Sequence, residues 1–190
     1  VKTTLKKNKI AVEKNPEEYT AVEMYEKYQK QMLQKNEQST FLDAWLFGIG
    51  KSYGKNMIGL ESFEEQEAIL NDLSDADQRE MLLSISDTSI DYQKYYDTLK
   101  ILYLNEDLEG LYGYINQFES RELEERLFTI RNKNMANRLD SIIRLQSCFT
   151  AVGAGHLPGK DGVIELLKAK GYSVTPYHSP RTGYYKQLLP

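Results

Sequence analysis

The stretch Ala151-Val152-Gly153-Ala154-Gly155-His156-Leu157-Pro158-Gly159 constrains this chain more than any other. The apolar run Cys148 to Val152 enters it, and Lys160-Asp161-Gly162, a helix-start signal, leaves it. A short apolar run, a glycine-rich turn and a helix start predict a strand-loop-helix unit, with Asp161 as the cap. In such a unit the loop lies at the carboxyl edge of a sheet, where open α/β sheets bind ligands. Gly153 and Gly155 permit tight or positive-φ backbone and close approach by a ligand, and Gly159 closes the loop.

A second junction has the same form. Met57 to Leu60 is a short apolar run after a glycine turn and predicts a buried strand. Ser62-Phe63-Glu64-Glu65 is a capping box that opens a helix to about Leu73, with Glu61 at the junction. Ser173 to Tyr177 alternates and reads as a last strand. Strands near 57–60, 148–153 and 173–177, separated by helices, predict a small, mostly parallel sheet with right-handed crossovers. The class expected is therefore helix-rich mixed α/β.

The rest reads as helix. Residues 1–15 are a charged, irregular lead-in, and Pro16-Glu17-Glu18 starts a helix that runs to about Asn36. Ser39 or Thr40 can cap a helix from Phe41 to Phe47, ended by Gly48 and Gly50. Asp75 can cap a helix from Gln78 to Ser84, and Asp91 to Leu104, Leu108 to Phe118 and Glu122 to Leu127 follow. The longest helix runs from about Ile130 to Gln146. Its stripe is Phe128, Arg131, Met135, Leu139, Ile142 and Ile143. Val163 to Leu167 forms the face of the last helix, which Gly171 stops.

With 190 residues, 41% hydrophobic and 27% charged, the chain can build one domain with a sizeable core, spanning 1–190. A net charge of −4 argues against nucleic acid as a partner, which requires clustered Lys and Arg. The run Lys2, Lys6, Lys7, Lys9 and Lys14 reads as a solvated terminus. No apolar run has the length of a membrane span. One cysteine, Cys148, allows no intrachain disulfide and reads as a small buried hydrophobe; with two histidines it excludes a Cys/His structural zinc site. The glycine loop is neither a dinucleotide fingerprint nor a P-loop, since the third glycine and a Gly-Lys-Ser/Thr are missing.

Three residues can carry chemistry. His156, in the loop, can serve a ligand or only tie the loop to its neighbours. Glu61 holds the equivalent place in the first unit. With parallel strands the two share one edge, where a carboxylate and an imidazole bind a divalent metal or act as base and acid. Alternatively, Glu61 is a charge favoured by the dipole of the following helix. Arg131 lies on an apolar stripe, so its guanidinium requires a carboxylate, carbonyls or an anionic ligand, unless it snorkels to water. His178, before Ser179-Pro180, reads as a surface residue.

The run FTAVGAGHLPGKDGVIELLKAKGYSVTPY, Phe149 to Tyr177, resembles the carboxyl-terminal signature of the TraB/GumN family, which includes the Tiki proteins. FLDAWLFGIGKSYGKNMIGLES, Phe41 to Ser62, is similar to that family's middle motif, which ends in Gly-Leu-Glu. RNKNMA, Arg131 to Ala136, is similar to its Arg-Asn motif.

The resemblance implies a mixed α/β fold and a metal-dependent hydrolase site, with peptide cleavage in Tiki members. It implies a divalent metal on His156 and Glu61. His156 would alternatively act as acid or base, and Glu61 would activate water. Arg131 would orient Glu61 or stabilise an oxyanion. A peptide or small-molecule ligand follows as partner, with a non-catalytic binding module as the alternative, and a place in the envelope or outside the cell. The family's first Gly-x-x-His motif has no counterpart here. Together with Val1 in place of Met, this leads to the expectation that the chain is the carboxyl-terminal portion of a longer domain.

Overall fold

The computed structural model describes residues 19–20, 23–24, 27, 42–86, 92–117 and 125–177. The lead-in, the start at Pro16-Glu17-Glu18 and His178 lie outside the described residues. The chain divides into two compact units, Val1–Ile90 and Asp91–Pro190.

In the first unit, α1 (Leu42–Ser52) carries Asp43 in its first turn and Lys51 in its last, both complementary to the helix dipole. It runs straight through Gly48 and Gly50, where the sequence predicted a stop. Gly50 instead lets Met57 pack closely: a Cβ there would lie 2.6 Å from Met57 Sδ. The stop is Gly54, at φ +65°. Gly54 N–H donates to Lys51 O (2.9 Å) and Lys55 N–H to Gly50 O (3.0 Å), which closes a Schellman turn.

The capping box then opens α2 (Phe63–Asn71), as the sequence predicted. Ser62 N–H donates to Glu65 Oε2 (2.7 Å), and Glu65 N–H to Ser62 Oγ (3.1 Å). α3 spans Asp75–Ser86. Its cap is Ser74 rather than Asp75: Asp77 N–H donates to Ser74 Oγ (3.1 Å), while Ser74 Oγ donates to the buried Asp77 carboxylate (2.6 Å). The short serine reaches the third residue's amide from just outside the helix, which Asp75 cannot do from its first turn.

In the second unit, α4 (Tyr92–Leu104) and α5 (Leu108–Ile115) pack together, with Tyr95 stacked on Tyr114 at 5.5 Å between ring centroids. Asp107 caps α5 through Gly110 N–H (2.9 Å). A π-turn (Glu125–Ile130) runs into α6 (Arg131–Ile143), and α7 (Val163–Ala169) packs on α6. Among the described residues of this unit, Leu111, Met135, Ala136, Leu139 and Val163 are buried hydrophobic side chains. Gly171, at φ +93°, ends α7 as predicted: its N–H donates to Lys168 O (2.9 Å) and Tyr172 N–H to Leu167 O (3.1 Å). Just beyond, Tyr172 Oη donates to Asp140 Oδ1 at 2.6 Å and Arg144 Nε to the same oxygen at 2.8 Å. These hydrogen bonds hold the Asp140 carboxyl at about 2, below its ordinary range. They also tie the chain after α7 to α6.

The expected parallel sheet is overturned. The described residues are helical, and there is no strand among them. Residues 57–59, 147–153 and 172–177 carry no regular secondary structure. A strand is made by the ladder on its neighbour, and runs this short do not hold one alone; nor is the 57–60 run buried, with Ile58 50% exposed. Phe149 is 84% exposed and Tyr177 87%, so no facing layer covers these two side chains. The same reason overturns the burial of Cys148, which is exposed, with Sγ 3.7 Å from Thr150 Oγ1. Among the described residues, no helix is long and apolar enough to cross a membrane.

Candidate functional site

The site is built on a widened helical turn. The π-turn at Glu125–Ile130 continues through Ile130, at φ −64° and ψ −47°, into α6 without a break. Sequence reading separated these pieces. The buried stripe of α6 is Asn132, Met135, Ala136 and Leu139, at helical spacing, and one of the four is polar. Such widened turns are frequent at functional sites. Here the turn carries Phe128, and α6 carries Arg131 and Asn132 in its first turn.

The glycine loop folds down on this junction. Ala154–His156 forms one 3₁₀ turn, with His156 N–H donating to Gly153 O (2.9 Å) and Leu157 N–H to Ala154 O (3.1 Å). The glycines differ in use. Gly155 permits close approach, since a Cβ there would lie 3.2 Å from Phe128 Cε1 and 3.6 Å from Ile115 Cδ1. Gly159 takes the left-handed conformation, φ +82°, and a Cβ there would lie 2.8 Å from Tyr112 Cζ. Gly153 needs neither freedom: its φ is −57°, and a Cβ would meet only His156 Cδ2 at 3.5 Å.

The helix cap is also revised. Gly162, not Asp161, is the N-cap of α7, and no side chain caps it. A side chain at Gly162 would collide with the Leu157 and Pro158 carbonyls. The Asp161 main-chain carbonyl has a separate role, accepting from Asn132 Nδ2 at 2.9 Å.

Asn132 is the residue sequence reading missed. It is 3% exposed, and its Oδ1 lies 2.7 Å from His156 Nδ1. The Phe128 ring lies 5.3 Å from the imidazole, tilted by 52°. Half-buried His156 is thus held by an amide, an aromatic face and its own turn. A single amide on the buried stripe of α6 was the signal that could have found it, because a buried amide requires partners.

Arg131 stands beside Asn132, half-buried, and its Nη1 donates to the Leu127 carbonyl at 3.2 Å. A carbonyl is one of the partners a guanidinium on that stripe requires. Glu61 belongs to the first unit, half-buried and immediately before the cap Ser62, and its Oε2 accepts from Gln66 Nε2 at 3.1 Å. Arg131 and His156 share the second unit.

This donor set is small for a metal. Among the described residues, no three His, Cys, Asp or Glu side chains gather to hold one. A catalytic zinc takes three protein ligands. His156 offers one imidazole, and the described residues around it do not complete such a set. A separate groove of about 470 Å³ runs between α6 and α7 beside Leu139, Ile143 and Leu167, and His156 does not line it.

Comparison with known proteins agrees with the motifs. The model of the TraB/PrgY/gumN family matches residues 6–176. The Metalloprotease TIKI homolog of Amphimedon queenslandica is 27% identical over 165 residues, covering 70% of this chain and 32% of that protein. Metalloprotease TIKI2 of Danio rerio is 38% identical over 63 residues, covering 30% of this chain and 12% of that protein. The chain spans about a third or less of the length of these curated relatives. No solved structure matches.

Proposed function

The chain belongs to the TraB/PrgY/gumN family, and from that premise we propose that it carries part of the site of a metal-dependent hydrolase, peptidase-like in its substrate. The observation that carries this reading is His156, the histidine of the loop motif, held by Asn132 with its ring fixed. The names of the two relatives, both metalloproteases, support the reaction class.

In this reading His156 would hold a divalent metal or take up a proton during hydrolysis. Glu61 would hold the metal or activate water; its assignment rests on its motif. Arg131 stabilises the oxyanion that develops on the scissile carbonyl, or orients Glu61. The metal would supply a polarised carbonyl and a more acidic water.

The test is cleavage of fluorescently labelled casein by the intact protein, with and without chelator. Cleavage stopped by chelator, and lost in His156→Ala and Glu61→Gln, supports the reading. Cleavage indifferent to chelator and to His156→Ala ends it. Casein binding that survives both chelator and Glu61→Gln, without cleavage, assigns the chain to a non-catalytic binding module instead.

A further inference from the structure

We propose that Asn132 is a positioning residue that holds His156 in its Nδ1–H tautomer, so that Nε2 carries the lone pair. The inference deepens the hydrolase reading and, for the use made of Nε2, rests on it.

The argument starts from the amide. Asn132 has one donor end and one acceptor end, and it is 3% exposed. Its Nδ2 lies 2.9 Å from the Asp161 carbonyl, which only accepts. The amide nitrogen must therefore face Asp161. The opposite assignment would set two acceptor oxygens at that distance, with no proton between them. Oδ1 consequently faces His156 Nδ1 at 2.7 Å. An oxygen cannot donate, so the proton of that hydrogen bond belongs to Nδ1. A neutral imidazole has one proton, which leaves Nε2 as the acceptor nitrogen.

Each partner is itself fixed. Asp161 precedes Gly162, the N-cap of α7, and Asn132 lies on the buried stripe of α6. The tautomer is thus set by the packing of α7 on α6, not by solvent. The Phe128 ring also lies against the imidazole, 5.3 Å away and tilted by 52°. A free imidazole side chain in water prefers the opposite tautomer, with the proton on Nε2, so the effect has a clear sign. An Nε2 lone pair suits a metal ligand or a general base. A neutral His156 then does not donate from Nε2. Second-sphere partners of this kind fix both tautomer and ring orientation at metal-binding histidines.

The experiment is a long-range proton–nitrogen NMR correlation on the ¹⁵N-labelled, metal-free chain at about pH 8, above the ordinary histidine pKa of about 6.5. The sequence has two histidines, so His178→Gln assigns the signals. The expected result is a pyrrole-type Nδ1 and a pyridine-type Nε2 for His156; the reverse pattern overturns the inference. Asn132→Leu removes the acceptor and reverts to Nε2–H. An Asn132→Leu protein that keeps the Nδ1–H pattern overturns the positioning role. Zinc added to the wild type separates the two readings. If the Nδ1–H pattern is present and zinc leaves both nitrogens unmoved, the positioning inference stands and the metal reading falls.

Discussion

Tyr172 Oη donates to Asp140 Oδ1 at 2.6 Å across 32 residues of sequence. This hydrogen bond joins the chain after α7 to the last third of α6. The Arg144 and Tyr172 hydrogen bonds hold Asp140 at about 2, against an ordinary 3.8. A depressed carboxyl contributes stability above its unfolded pKa and loses it as pH falls through the folded one. Asp140→Asn therefore melts below wild type at pH 6, and the gap closes between about pH 4 and pH 2. Thermal unfolding across that range checks it, and a gap independent of pH contradicts it.

Gly159 and Gly153 respond oppositely to alanine. Gly159 sits at φ +82° with Tyr112 against it, so Gly159→Ala costs at least about 1–2 kcal/mol. Gly153 has an ordinary φ of −57° and room for a Cβ, so Gly153→Ala is neutral or stabilises by about 0.4–1 kcal/mol. Urea unfolding of both variants reads the signs.

These two glycines show what the sequence discloses. Signals that act within one turn were legible: the Ser62–Glu65 box and the Gly171 stop stand as read. Signals that need a distant partner were not. Phe149 to Val152 has the apolar run of a strand, but pairing is a property of two segments, and no strand lies among the described residues. Gly50 looked like a stop until Met57 was found packed against it. Family motifs brought His156, Glu61 and Arg131 forward by order. Asn132 lay inside one of those motifs, yet its amide bonds the Asp161 carbonyl 29 residues away, which no local pattern discloses.

Leu139 is buried between α6 and α7 but also lines the groove beside Leu167. Leu139→Ala should cost about 2–3 kcal/mol, the low end of the usual 2–5, because the groove lets neighbours relax into the space. Urea unfolding followed by circular dichroism measures it.

Ser62→Ala removes the acceptor for Glu65 N–H and costs the first unit about 0.5–2 kcal/mol. Hydrogen exchange at the amides of α2 shows the loss locally, with α6 amides unchanged.

The central proposal is that Nε2 of His156 serves a hydrolytic site as a ligand to a divalent metal. Zinc titrated calorimetrically into the intact protein and into His156→Ala tests it most directly. Losing a ligand should weaken binding by more than the roughly 10–100-fold that loss of an outer partner costs. Zinc affinity unchanged in His156→Ala would contradict the claim.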